Sequence, residues 1–286
     1  MIYFRFLDIP AYFIAYIIIS FFGLCIGSFL NVCIYRLPLE DPAERSLVKR
    51  SSHCPKCGAK IRFYDNVPVF SWLVLKGKCR NCKEPISKRY PLVESLNWFL
   101  YMLALTFIDV MNYPVHAILI ALFFSVLIVI GFIDYDTMEI YPSQLALIII
   151  LAVLDVIFGH TITIPQRIIG ALAISVPFFI IGEVSRIFIK KKYGEDFRGI
   201  ELGDTFLMLV SGLLIGPKCI CASALIGIFT AAIVGIISKA KGKESKLAFG
   251  PYLAIGLVFG SLFGNQMIDW YLNMLKAPEV YSMLLR

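Results

Sequence analysis

Apolar runs of roughly 20 residues recur from one end of the chain to the other, the length a helix needs to cross a hydrocarbon core of about 30 Å. By that criterion the sequence predicts about eight spans. Their approximate limits are 11–34, 91–110, 114–133, 143–159, 164–189, a short 204–216, 219–238 and 249–272. Of the 286 residues 59% are hydrophobic and 16% charged, and the mean hydropathy is +0.79, too apolar for an ordinary soluble domain. The expected fold is therefore all-α and integral to a membrane. The first run is long and has no small-x-small cleavage pattern behind it, so it is expected to be a retained helix rather than a signal peptide.

Charge orients these spans. Residues 36–90 carry thirteen Lys and Arg against five Asp and Glu, a local excess of +8 in a chain whose whole excess is +7. Loops rich in Lys and Arg stay on the cytoplasmic side, which predicts a cytoplasmic loop here. Threading eight spans from that anchor puts Lys190 to Lys192 and the cluster Lys239 to Lys246 on the same side, and both chain ends outside. No nucleic-acid recognition fold accompanies the basic loop, so anionic lipid or an acidic partner is the expected contact and nucleic acid is not.

The loop holds Cys54-Pro55-Lys56-Cys57 and Cys79-Arg80-Asn81-Cys82, two Cys-x-x-Cys pairs separated by twenty-one residues. Each two-residue gap lets a tight turn aim both sulfurs at one point, which suits tetrahedral Zn²⁺. Four thiolates leave no open position for water, so the expected ion is structural and the loop a small zinc-ribbon-like domain. Two disulfides or redox pairs are the competing reading, disfavoured in a reducing compartment. Cys25, Cys33, Cys219 and Cys221 lie in apolar spans and read as small packing residues.

Carboxylates inside apolar spans are costly and so are functional candidates. Asp134 and Asp136 close the third span, and Asp204 opens the sixth after Glu201-Leu202-Gly203. The predicted topology puts both places at one membrane face. Two such carboxylates could hydrolyse a peptide, one taking a proton from water while the other, protonated, polarises the scissile carbonyl. Helix polarity favours the ionised form at Asp204, near a helix amino terminus, and disfavours it at Asp134, near a carboxy terminus, which makes Asp204 the expected base. The three histidines form no competing constellation.

The runs Gly27-Ser28-Phe29-Leu30-Asn31-Val32-Cys33-Ile34-Tyr35-Arg36-Leu37-Pro38, Asp65-Asn66-Val67-Pro68, Ser71-Trp72-Leu73 and Ile86 to Glu94, interleaved with the cysteine pairs, resemble the amino-terminal module of bifunctional type IV prepilin peptidases. The resemblance extends from residue 23 to about 260. It implies a bacterial inner-membrane enzyme that cuts a short basic leader from prepilin or pseudopilin precursors and methylates the new amino terminus with S-adenosylmethionine. It also implies three parts: a first helix over 1–35, a zinc-binding loop over 36–90 belonging with it to the methyltransferase module, and a polytopic aspartic peptidase over 91–286. The catalytic aspartates of the family match Asp134 and Asp204, with Asp136 a rival for the first. Three positions depart from its pattern: Glu201 replaces the first Gly of Gly-x-Gly-Asp, Phe206 the usual Lys, and Tyr141 the usual Pro, Pro142 lying one place on.

Asp136, Glu139 and Glu201 are the expected contacts for a basic leader, because the +8 loop would repel it. Asn31, Arg36 and Glu94 could orient the cofactor or equally anchor the loop to the helices. Phe249 to Gly256 resembles the last-span motif of the family, and its Gly and Pro could allow a broken backbone beside the site or ordinary span packing. The competing classes are a polytopic transporter with a zinc-ribbon loop, a presenilin-like intramembrane protease, and a non-catalytic pilus or secretion assembly protein.

Overall fold

A computed structural model describes residues 9–47, 52–110, 112–193, 198–242 and 247–284. Lys49 and Arg50 of the basic loop, and residues 243–246 of the second basic cluster, lie outside the described residues. The chain forms two compact units, 1–133 and 134–286.

The first unit contains α1 (Ile9–Arg36), the short α2 (Pro42–Arg45) and α3 (Phe70–Val74), α4 (Arg89–Phe107) and most of α5 (Pro114–Thr137). Helix α1 stops just before Leu37-Pro38, where the residue preceding proline is pushed out of the helical region. It packs along α4. Gly27 makes this possible, since a Cβ there would sit 2.8 Å from the Cα of Glu94. A buried polar chain threads the same helices: Asn97 Nδ2 donates to the Gly23 carbonyl at 2.7 Å, Ser125 Oγ to Asn97 Oδ1 at 2.8 Å, and the Tyr101 and Ser125 hydroxyls lie 2.9 Å apart.

The second unit contains the end of α5, then α6 (Pro142–Leu154), α7 (Ile164–Tyr193), α8 (Leu202–Ala240) and α9 (Gly250–Leu284). Helix α5 ends where Met138 turns to φ 57°, and α6 starts on Pro142, whose missing N–H is harmless in a first turn. Helix α7 packs on α8, and α8 on both α9 and α6. Helix α8 breaks at Gly216 (φ 78°, ψ 178°) ahead of Pro217. Only glycine takes that conformation readily, and proline offers no N–H to the carbonyl four residues back.

Six helices among the described residues are long and apolar enough to cross a membrane. Dividing α8 at Gly216, and adding the 19-residue α4, gives the eight segments that the hydropathy pattern predicts, the short 204–216 among them. Among the described residues no strand forms, and the cysteine loop has two isolated bridges, His53 with Lys60 and Lys78 with Pro85. Cys33 and Cys219 are buried packing residues as expected, whereas Cys25 is exposed on the flank of α1, which has few neighbours there.

The break in α8 exposes a buried carboxylate that the motif reading omits. Pro217 leaves the Leu213 carbonyl without its helical donor. Arg167 Nη1 of α7 donates to that oxygen at 3.0 Å, while its Nη2 lies 2.5 Å from Asp155 Oδ2 at the end of α6. Thr161 Oγ1 donates to the same Asp155 oxygen at 3.0 Å. Asp155 is wholly buried and Arg167 nearly so. Removing one member strands a charge, at about 3–5 kcal/mol, whereas replacing both with apolar groups costs far less. Arg167→Met is expected to lower the unfolding free energy in detergent, read from denaturant titration, by about 3–5 kcal/mol, and Asp155→Leu with Arg167→Met to recover a measurable part of it.

Candidate active site

Asp134 lies in the last turn of α5 and Asp204 in the first turn of α8, both within the second unit. Their relative exposures are 6% and 5%. Each carboxylate lies at one end of its helix, and Leu207 and Met208, within the next turn after Asp204, are fully buried. Asp134 and Glu201 both lie within Coulombic reach of Asp204.

The backbone N–H of Gly250, at the start of α9, donates to Asp134 Oδ2 at 2.8 Å. A Cβ at Gly250 would sit 2.7 Å from that same oxygen, so a side chain there would displace the carboxylate. Within residues 249–256, Gly250 thus puts backbone beside Asp134, while Gly256 packs α9 closely on α8, where a Cβ would collide with the Ser223 carbonyl oxygen. Gly203 packs on Ile140, with an added Cβ only 3.2 Å from the Ile140 Cβ, and so draws the α5–α6 link against the residue before Asp204. Of the residues expected to meet a basic leader, Glu201 acts on both aspartates. Asp136, in the last turn of α5, and Glu139, on the link after it, are both exposed. At the departures from the motif, Glu201 is the N-cap residue of α8, Phe206 points outward, and the Tyr141 N–H donates to Gln144 Oε1 at 3.2 Å, capping α6.

In the first unit, Cys54, Cys57, Cys79 and Cys82 bring their sulfurs within 4.8 Å of one another, Cys54 and Cys82 at 3.9 Å. Four sulfurs at 2.3 Å from a tetrahedral centre are about 3.8 Å apart, so the cluster fits Zn²⁺. The N–H of Ala59 and the Asn81 amide donate to the Cys57 sulfur and hold its thiol down at about 7. The N–H groups of Cys82 and Asn81 lower Cys79 in the same way. Thiolates are the metal-binding form, and these N–H donors favour it at Cys57 and Cys79, whereas desolvation and the neighbouring sulfurs push the Cys82 thiol up to about 12. Asp65 and Arg80, paired at 2.6 Å, brace the second cysteine turn against the segment 63–66, and the guanidinium holds the Asp65 carboxyl below its usual range.

A cavity of about 860 Å³ lies between the cysteine loop and the ends of α1 and α4. Asn31, Arg36 and Glu94 all line it, together with Tyr35 and Trp72. Its volume is within the range of about 300–1,000 Å³ for small-molecule sites. Each of the three buried polar residues also binds the loop or its junction: Asn31 Nδ2 donates to the Tyr90 carbonyl at 3.2 Å, Arg36 Nη1 to the Ser46 carbonyl at 2.7 Å, and Glu94 Oε2 accepts the Val69 N–H at 2.6 Å. Anchoring and cavity lining, offered by the sequence as alternatives, thus fall to the same side chains. The Val69 contact has no signal in the sequence. Val69 has φ 61°, which a β-branched residue rarely adopts.

The fold and these sites define a polytopic α-helical membrane protein with a close pair of buried carboxylates and a four-cysteine loop. Residues 21–108 match the Bacterial Peptidase A24 N-terminal domain, and residues 121–236 match the Type IV leader peptidase family. The chain is 33% identical to the prepilin leader peptidase/N-methyltransferase of Aeromonas hydrophila, over 90% of its own length and 93% of that protein's. It is 31% identical to a type 4 prepilin-like proteins leader peptide-processing enzyme of Escherichia coli, over 82% of this chain and 88% of that one. No solved structure matches it. The chain belongs to the type IV leader peptidase family and is an enzyme of that family.

Glu94→Leu would remove the acceptor that holds Val69 in its unfavoured conformation. Limited proteolysis is expected to cut the segment 63–76 faster in this variant. Adding Val69→Gly, which tolerates positive φ, is expected to restore part of the protection.

Proposed function

We propose that this enzyme removes the basic leader of type IV prepilin or pseudopilin precursors at the cytoplasmic face of the bacterial inner membrane and then methylates the exposed amino terminus. The observation that carries the peptidase reading is the pairing of Asp134 and Asp204, buried within one unit and in Coulombic contact. One carboxylate takes a proton from water as its oxygen attacks the scissile carbonyl. The other, protonated, donates to the carbonyl oxygen; collapse of the tetrahedral intermediate breaks the C–N bond and a proton passes to the leaving amine. Asp204, in the first turn of a long helix, is the base in this scheme because the positive end of the helix favours its ionised form. Glu201, with Asp136 and Glu139 further out, receives the Lys and Arg of the leader, while the apolar segment behind the cleavage point stays in lipid.

Methylation is assigned to the amino-terminal module, the first helix 1–35 with the loop 36–90, and peptidase chemistry to 91–286. Zn²⁺ on Cys54, Cys57, Cys79 and Cys82 folds the loop. S-adenosylmethionine, when bound, supplies the methyl group. Arg36 suits its carboxylate, Glu94 its cationic groups, and Asn31 supplies a hydrogen-bonding amide; the 860 Å³ cavity that these three line supports the assignment.

Purified enzyme in detergent, given a full-length prepilin and S-adenosylmethionine, is expected to yield mature pilin with one added methyl by mass. Asp134→Asn and Asp204→Asn are each expected to slow leader removal by at least about a hundredfold. Cleavage that persists in either variant would overturn the dyad. Metal analysis is expected to find Zn²⁺ bound by the wild-type chain and lost in the Cys54→Ser, Cys57→Ser double variant, with residues 52–88 becoming sensitive to protease.

A further inference from the structure

A single carboxylic acid is a sparse electrophile for a buried peptide carbonyl, and of three buried donors without a partner among the described residues of the second unit, Gln144 Nε2, Arg167 Nε and Ser211 Oγ, the first lies at the helix ends that carry the aspartates. Gln144 is on the first turn of α6 and 2% exposed. Its Oε1 accepts the Tyr141 N–H, which fixes the amide with Nε2 turned the other way. Nε2 is buried and has no hydrogen-bond partner among the described residues. Buried amide groups are normally satisfied, and leaving one orphaned costs about 1–3 kcal/mol, so the group calls for a partner that arrives from outside the fold.

Register puts that amide at the level of the aspartates. Helices α6 and α8 pack together, and the buried face of α6, Gln144, Ile148, Leu151 and Ala152, follows the spacing of one helical stripe. At one end Ile140 touches Gly203, next to Asp204. At the other, Asp155 reaches the Leu213 carbonyl through Arg167. The two helices therefore run the same way. At about 1.5 Å per residue, Gln144 falls beside the first two turns of α8, which carry Asp204. Helix α8 turns Asp204, Leu207 and Met208 into the buried interior there.

We propose that Gln144 is a further catalytic residue: its Nε2–H donates to the scissile carbonyl oxygen as that oxygen gains negative charge. The protonated aspartate supplies one hydrogen bond to this oxygen and Gln144 the other. No proton leaves the amide, so the balance of the hydrolysis is unchanged. Because Oε1 stays on the Tyr141 N–H, the amide is held ready before substrate enters, the condition under which such a donor acts on the transition state. The inference rests on the proposed peptidase reading.

Two substitutions separate this role from a purely structural one. Gln144→Glu keeps the oxygen that caps Tyr141 and the side-chain shape but replaces the donor, and Gln144→Met keeps the bulk and removes both polar atoms. With full-length prepilin in detergent micelles, both are expected to lower kcat by about a hundredfold or more with KM within a few-fold of wild type. The kcat of Gln144→Met is expected to be low at every pH, and the thermal midpoint of Gln144→Glu to match wild type. A Met variant that keeps wild-type kcat overturns the proposal. A Glu variant whose kcat recovers as pH falls supports the donor, since its protonated carboxyl donates in place of the amide, whereas one that is active only when ionised overturns it, since an ionised carboxylate caps Tyr141 but cannot donate. Asp134→Asn and Asp204→Asn run alongside: dead aspartate variants with active Gln144 variants leave the peptidase reading standing and remove only this step, whereas a wild-type enzyme that leaves prepilin uncut removes both.

Discussion

Inside a bilayer no water is available to satisfy a polar group, so every buried donor and acceptor must find its partner within the protein. Much of this fold follows from that constraint. The proline that breaks α8 frees the Leu213 carbonyl, and the answer is an arginine from α7 that must itself be neutralised by Asp155 at the end of α6. One missing N–H thus ties three helices together. In the first unit the same demand links α1, α4 and α5 through Asn97, Ser125 and Tyr101.

The loop outside the apolar spans meets a different difficulty. It is too short and too charged to bury much of itself, and its order comes from local fastenings: four converging sulfurs, the Asp65–Arg80 pair, and Glu94 reaching from α4 to the backbone of Val69. These fastenings leave a cavity whose polar lining is also the loop's anchorage. A ligand that engaged Glu94 or Arg36 would therefore act on loop order as well as on its own binding, so occupancy of the cavity and rigidity of the loop are thermodynamically linked.

Periodicity and composition made the helices legible, because a run of about 20 apolar residues has few alternatives. Even the short 204–216 segment is visible in the sequence, since Gly216-Pro217 interrupts an otherwise continuous run. The cysteine spacing pointed to one four-sulfur cluster, and the sulfurs converge. The carboxylates at 134 and 204 stand out by their cost in lipid, and they come together. What the sequence hides are contacts made through backbone or between distant side chains. The Gly250 N–H on Asp134 spans 116 positions and involves a residue with no side chain to flag it. Asp155 sits in an apolar span like the other two, but its partner Arg167 lies on the next helix and no motif joins them. Gln144 belongs to no motif in the sequence, and its orphaned nitrogen becomes evident only in the packed structure.

The buried acids of this chain separate by what neutralises them. Asp155 has a guanidinium at 2.5 Å and a threonine hydroxyl, so a cation compensates its carboxylate directly. Asp134 and Asp204 are nearly as buried, yet among the described residues neither forms an ion pair with Lys or Arg; Asp134 receives a backbone N–H, and the charges within reach are other carboxylates. A cation would stabilise the ionised pair and remove the shared proton on which acid–base hydrolysis depends. A cation thus compensates Asp155 where none compensates Asp134 and Asp204 among the described residues, a distinction that residue type and burial alone would not draw.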